Sequence, residues 1–160
     1  MERAWTFTDT AVTVTLVDFA DPALAGEPDV RERGVRLEVR PLSWSTTGSI
    51  YSSPAMTLGS AVLRVDLLES APGKADRMHW HPTMSDGEPG DRSFEVTMVD
   101  DPVGWTRDLL TTLDDRIGAD AAAEVRDATE DVLAEVERTL AQARRPWPDV
   151  VHDERGLAVG

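Results

Sequence analysis

The sequence lacks two residue types altogether: it contains no cysteine and no asparagine, and its only lysine is Lys74. Because there is no cysteine, the chain forms no disulfide bond and offers no thiolate to zinc, to an iron–sulfur cluster or to a covalent substrate. Because there is no asparagine, it has no acceptor for an N-linked glycan. Any bound metal ion must therefore be held by histidine and carboxylate side chains.

Long apolar runs are also missing. No stretch of about 18 consecutive apolar residues occurs, so the sequence predicts no membrane-spanning helix. The N-terminus has no basic segment followed by an apolar one, so we expect no signal peptide and a cytoplasmic location. Acidic residues outnumber basic residues by 30 to 16, which gives a formal net charge of −14. Such a surface repels phosphate backbones and anionic lipids, so no nucleic-acid or membrane partner is expected.

The first part of the chain, residues 1–99, shows the alternation of apolar and polar residues that is typical of strands with one buried face. Valine and leucine alternate with threonine over 11–16 and with charged residues over 35–40. The segment 5–8 is either the hairpin partner of the first of these strands or its beginning. Further strands are predicted at 49–52, 61–68, 78–81 and 94–98, with 61–68 in a central position, and a charged connector is predicted over 21–34.

From Asp101 the apolar period changes to that of a helix. Asp101 is a suitable N-cap and the proline after it a suitable first helical residue, and Gly118 is a natural stop. A second helix is predicted from Asp120 to about Arg145, where two nearby prolines end it. The predicted fold is therefore α+β: one domain, 1–160, with a mainly antiparallel sheet or partial barrel of about six or seven strands. A two-helix hairpin over 100–145 and a tail over 146–160 follow the sheet.

The strongest chemical signal is the pair His79 and His81. Side chains two positions apart on a strand share a face, so these imidazoles and Arg77 are predicted to point together. Asp86 and Glu88, in the loop that follows, are the candidates for a third metal ligand. Two histidines and one carboxylate leave open coordination positions for a substrate or oxygen. Arg77 is the candidate catalytic residue, which would orient an acidic small molecule.

The same stretch resembles the first metal-binding motif of the cupin superfamily. Gly73, five residues, His79-Trp80-His81, four residues and Asp86 follow the order of a glycine, a His-x-His pair and a glutamate. The resemblance implies a small β-barrel in which His79 and His81 bind a divalent metal and Asp86 takes the place of the glutamate.

The sequence also departs from that motif. Asp86 replaces a glutamate, and the glycine expected at the end of the motif falls on Ser93. The second cupin motif, which supplies another histidine, has no match, because Arg107 occupies the corresponding position inside a predicted helix. The resemblance covers about fourteen residues.

Simpler interpretations remain open for each of these residues. The histidine pair could be hydrogen-bonded imidazoles at a half-buried strand end. Arg77 and Arg92 bracket the loop and could either clamp an anionic substrate or form surface ion pairs. The acids available to them are Asp76, Asp86, Glu88 and Asp91. His152 could fold back as a fourth ligand or remain solvated.

Three functions follow from these patterns. The first is an enzyme that uses iron, manganese or zinc on a small acidic molecule, by oxygenation, isomerisation or hydrolysis. The second is a non-catalytic module, similar in element order to the helix-grip fold, that holds an apolar ligand against Trp80 and Trp105. The third is an accessory subunit whose C-terminal helices dock on a partner protein or on a second copy, which would make a homodimer.

Overall fold

An antiparallel sheet is the main element of the fold. The computed structural model describes residues 2–24, 27 and 30–159, and within them six strands form this sheet. The strands are β1 (Glu2–Thr6), β2 (Thr10–Ala20), β3 (Arg31–Ser45), β4 (Ala55–Leu58), β5 (Leu63–Glu69) and β6 (His79–His81). Their order is β1-β2-β3-β5-β6, and β4 pairs with the far end of β3.

The two faces of the sheet differ in polarity because the sequence alternates along every long strand. Leu37 lies between Val14 and Val65 on the apolar face. Arg36, one residue earlier, pairs with Asp66 on the opposite face. The register therefore places the apolar side chains on one side and the charged ones on the other.

Helices cover the apolar face. They are α1 (Val96–Asp100), α2 (Pro102–Thr111), α3 (Asp114–Ile117), α4 (Ala119–Asp127) and α5 (Thr129–Ala143). The long helix α5 packs on β2 and β3, and α2 packs on α5. Their buried stripes complete the core. Its members from the helical part of the chain are Met98, Leu110, Ala122, Val125, Val132, Val136 and Leu140, together with Leu113 between α2 and α3. Each buried leucine, valine or methionine side chain contributes about 1.5–3 kcal/mol relative to exposure.

The α+β class and the antiparallel sheet are confirmed. Two of the residues predicted to mark helix boundaries also do so in the structure. The Asp101 carboxylate accepts a hydrogen bond from the backbone N–H of Gly104, as an N-cap does. Gly118 has a φ of 85° directly after α3. The predicted helices are each interrupted, after Thr111 and at Ala128, so that four helical segments replace the expected pair.

Two predicted strands are wrong. Residues 94–98 do not form the last strand, because α1 begins at Val96. The alternation there has no buried face: Phe94 is 66% and Val96 77% exposed, and only Met98 enters the core. Residues 49–52 form a turn, and the strand is displaced to β4.

Short hairpins and the tail complete the polar side. The first hairpin joins β7 (Met84–Ser85) to β8 (Glu88–Pro89), and the second joins β9 (Val151–His152) to β10 (Ala158–Val159). The tail is attached to β2 by the backbone N–H of Ala20, which donates to the carbonyl of Gly156 at 2.8 Å.

The predicted connector over 21–34 is only partly described. It contains a 3-10 turn at Pro22–Leu24 and the start of β3 at Arg31, while residues 25, 26, 28 and 29 lie outside the described residues. Within the described part of the chain, no helix has the length and apolar character needed to cross a membrane.

Candidate metal centre

Asp66, His79 and His81 meet on the polar face of the sheet. The antiparallel register of β5 and β6 pairs Asp66 with His79 and Arg64 with His81, so all four side chains share one face. The three candidate ligands are buried, each less than 5% exposed. Their nearest donor atoms all lie within 4.8 Å of one another.

Backbone carbonyls fix the orientation of both imidazoles. His79 Nδ1 lies 2.9 Å from the carbonyl oxygen of Arg77, and His81 Nδ1 lies 2.8 Å from that of Gly90. A carbonyl oxygen only accepts, so each Nδ1 must carry the hydrogen. In the neutral ring this leaves a lone pair on Nε2, which is the arrangement found in most metal-ligating histidines.

Both Nε2 atoms lie near the same carboxylate oxygen. His79 Nε2 lies 3.5 Å and His81 Nε2 4.0 Å from Oδ2 of Asp66. Two atoms bound to the same ion, each at about 2.0–2.2 Å, are at most about 4.4 Å apart, and both distances fall within this limit. Burial lowers the pKa of His79, which favours the neutral ring. Two imidazole nitrogens and a carboxylate oxygen that converge in this way can hold a metal ion.

Arg36 supports the carboxylate from the other side. Its Nε donates to Asp66 Oδ1 at 2.7 Å and its Nη2 to Oδ2 at 3.3 Å. This forked contact fixes the plane of the carboxylate. The Oδ2 atom that faces the two histidines is thereby held in place.

A cavity of about 450 Å³ opens next to these residues. This volume lies in the range of small-molecule sites. Four arginines line it, against two carboxylates, although the whole chain carries a formal charge of −14. The charged lining residues are Arg36, Arg64, Arg92, Arg155, Glu32 and Asp66.

The loop carboxylates predicted as ligands lie elsewhere. Asp86 and Glu88 are exposed on the β7–β8 hairpin, and neither belongs to the three-residue donor group. Asp86 has a φ of 52° and Gly87 a φ of 87°, as a two-residue hairpin turn requires. The hairpin instead contributes Pro89 and the adjacent Gly90 to the cavity wall.

The remaining predicted residues have separate partners. Nε of Arg77 lies 3.7 Å from Oε1 of Glu32, a cavity residue, while its backbone carbonyl orients His79. His152 contacts Asp18, with 3.3 Å between Nε2 and Oδ1, and is outside the donor group. Whether Arg77 orients a substrate stays a prediction.

Sequence reasoning missed Asp66, although a signal for it exists. Asp66 and Arg64 are the charged residues of a strand that was predicted to be central. A carboxylate buried in a central strand needs a partner. The partners were not identifiable because they come from two other strands.

The two tryptophans proposed to hold an apolar ligand pack on the core instead of lining this cavity. The rings of Trp80 and Trp105 meet edge to face at 5.5 Å. Both indole N–H groups donate to the carboxylate of Glu95, each at 2.9 Å. The indole N–H groups of both tryptophans are therefore already hydrogen-bonded to Glu95.

Comparisons of this chain with protein-family models, with curated proteins and with solved structures give no match. The function must therefore be inferred from the residues and the geometry of the site.

Proposed function

We propose that the protein binds a divalent transition-metal ion through Asp66, His79 and His81 and acts on a small acidic molecule in the adjacent cavity. The observation that carries the proposal is the pair of Nε2 atoms that face one carboxylate oxygen with both Nδ1 atoms tied to carbonyls. A bound ion would supply a second positive charge, besides the guanidinium of Arg36, to these buried ligand atoms.

The donor set selects among metals. Two imidazoles and one carboxylate suit iron, manganese and zinc, and three protein ligands leave positions for a substrate. Bound there, the ion would act as a Lewis acid for hydrolysis or isomerisation, or as an oxygen-binding centre if it is iron. This is the cupin-like arrangement predicted from the histidine pair, with the strand residue Asp66 in place of the loop residue Asp86.

The excess of arginine around the cavity favours an acidic substrate. Three of the four arginines are paired with carboxylates, so the attraction for an anion rests on Arg92, which has no hydrogen bond or ion pair with another residue that the structure describes. The enzyme alternative is preferred over the apolar-ligand module because the tryptophans of that module pack on the core.

Metal binding to protein without a histidine tag tests the proposal. Purified protein is stripped with chelator and titrated with Zn²⁺, Mn²⁺ or anaerobic Fe²⁺ in a calorimeter. One ion per chain is expected, and His79→Gln, His81→Gln and Asp66→Asn should each reduce the affinity by more than the roughly 10–100-fold that the loss of an outer-shell partner costs. Circular dichroism checks that each variant is folded.

Three variants serve as controls. His152→Gln removes the remaining histidine, and Asp86→Asn and Glu88→Gln remove the loop carboxylates. All three should bind the ion as the wild type does. Weak, sub-stoichiometric binding that His79→Gln and His81→Gln leave unchanged would refute the proposal. If a variant fails to fold, wild-type protein is loaded with Co²⁺ instead. The visible absorption spectrum of the bound Co²⁺ then reports whether nitrogen atoms coordinate the ion.

A further inference from the structure

The segment after the β7–β8 hairpin extends the polar face beyond β6. Trp80 and Ser93 form an antiparallel bridge, with N–O distances of 3.0 and 2.8 Å in the two directions. Residues on either side of Ser93 therefore point to the face that carries the two histidines. Accordingly, the Phe94 ring lies 5.7 Å from that of His79, and Arg92 lies on the His81 side of the bridge.

Arg92 differs from the other arginines of the cavity. Arg36, Arg64 and Arg155 are each paired with a carboxylate, of Asp66, Glu38 and Asp153 respectively. Arg92 makes no hydrogen bond or ion pair with any other residue that the structure describes. Its guanidinium is thus the cavity cation that is free to receive an anion from outside the chain.

Arg92 lines the same cavity as the three candidate metal ligands, Asp66, His79 and His81. The Trp80–Ser93 bridge places it beside His81 on the polar face of the sheet. A ligand in the cavity can therefore be held by Arg92 and by an ion on these three residues.

The cavity also has apolar lining residues. Val17 and Phe19 come from β2, two strands away from Asp66 in the sheet, and Leu68 comes from the end of β5. The tail adds Leu157, which forms a bridge with Phe19. A ligand that fills the cavity therefore meets Arg92 and the candidate metal ligands as well as aliphatic and aromatic side chains.

We infer that the substrate is an acid with one anionic group and an apolar, ring-sized body. Its carboxylate contacts Arg92 beside the metal, and its body lies against Phe19 and Leu157. A planar guanidinium matches a carboxylate in two parallel hydrogen bonds. The inference rests on the proposed function and specifies the chemistry of its substrate.

Binding of three probes to the Zn²⁺-loaded protein tests this inference. Phenylacetate has both features, phenylacetamide lacks the charge, and succinate lacks the apolar body. Calorimetry should show that phenylacetate binds about tenfold more tightly than either of the others. Arg92→Met should remove this advantage over phenylacetamide while the Zn²⁺ affinity stays unchanged.

Two further variants make the result specific. Arg145→Met is the matched control, since Arg145 is an exposed arginine beyond the end of α5 and outside the cavity. It should bind phenylacetate as the wild type does. Leu157→Ala, which alters a partly exposed tail residue, should weaken phenylacetate binding but not acetate binding.

The outcomes separate the two proposals. If Zn²⁺ binds and phenylacetate shows no preference over phenylacetamide, or no binding at all, the substrate class is wrong and the metal site stands. If Arg92→Met binds phenylacetate as tightly as the wild type does, the substrate class is likewise wrong. If Zn²⁺ does not bind, the proposed function fails, and phenylacetate binding that depends on Arg92 in the metal-free protein would then support the ligand site alone.

Discussion

Arg36 and Asp66 lie opposite each other on β3 and β5, and the guanidinium of Arg36 donates to both oxygens of the Asp66 carboxylate. Asp66 is 2% exposed, and Arg36 is the cation that pairs with its buried carboxylate beside the two histidines. The pair connects the stability of the sheet to the candidate metal centre.

Arg36→Met should therefore destabilise the metal-free protein and increase the effect of metal. Loss of the paired cation should cost about 1–3 kcal/mol. A bound divalent ion would replace the missing positive charge, so the rise in melting temperature on adding Zn²⁺ should be larger than in the wild type. Thermal unfolding with and without Zn²⁺ measures both effects.

The control for Arg36→Met is Arg107→Met. Arg107 pairs with Glu130 at an exposed site on the helices, where an ion pair contributes little. Its melting temperature and metal response should match those of the wild type. Equal metal responses in Arg36→Met and wild type would contradict the assignment of Asp66 as a ligand.

Glu95→Gln should disturb the two tryptophans that share its carboxylate. A glutamine has one carbonyl oxygen, so one indole N–H would lose its acceptor and face an amide donor. The expected cost is about 1–3 kcal/mol in the free energy of unfolding, with a change in tryptophan emission. Glu137→Gln, at an exposed position on α5, should change neither quantity.

Gly34→Ala should be strongly destabilising. A Cβ at this position would lie 2.0 Å from the carbonyl oxygen of Leu67 and 2.8 Å from Cα of Leu68, both backbone atoms of β5. Relief of this overlap requires β3 and β5 to move apart, at a cost of about 2–3 kcal/mol. Urea unfolding gives the difference.

Gly59→Ala is the comparison for Gly34→Ala, because its added Cβ would meet its nearest neighbours at 3.4 Å. A small change is expected there. If the two variants were equally stable, the close approach of β3 and β5 at Gly34 would be wrong.

Glu32→Gln should change the pH dependence of stability. Burial raises the pKa of this carboxyl above its ordinary value of 4.5, against the effect of Arg77 and Arg92. The folded state thus holds a proton that the unfolded state releases, and stability from this group is lost as pH rises through the folded pKa.

The free energy of unfolding of the wild type should therefore fall relative to Glu32→Gln as the pH rises above 4.5, the ordinary pKa of the group. Urea titrations of both proteins across this range give the comparison. Glu88→Gln, on the exposed hairpin, should give a curve parallel to that of the wild type. A wild type that gains stability relative to Glu32→Gln over the same range would contradict the burial of Glu32.

Much of the fold could be predicted from local patterns. The alternation over 11–16 and 35–40 lies within β2 and β3, and the predicted strand 61–68 overlaps β5 from Leu63 onward. Asp101 and Gly118 mark helix boundaries because capping depends on residues adjacent in sequence. The two wrong strands, 49–52 and 94–98, were predicted from short patterns. In such short segments the side chains that the tertiary structure buries determine the conformation, and the periodicity of the sequence does not.

The site was predictable only in part. His79 and His81 lie two residues apart on one strand, and the structure brings them together as that spacing predicts. Asp86 follows them closely in sequence, but its hairpin turn leaves it exposed. Nearness along the chain was a poor guide to a third ligand, because a sheet brings together residues that are far apart in sequence.

By itself, the sequence determined the donor chemistry. Without cysteine, any metal must bind imidazole and carboxylate, and a His-x-His pair on a strand directs both rings to one face. Only the tertiary structure decided that Asp66 joins them, that Arg36 orients it and that Arg92 lines the same cavity without a hydrogen bond or ion pair to another described residue. These relationships depend on the register of β3, β5 and β6, which is set by how the apolar face packs against the helices.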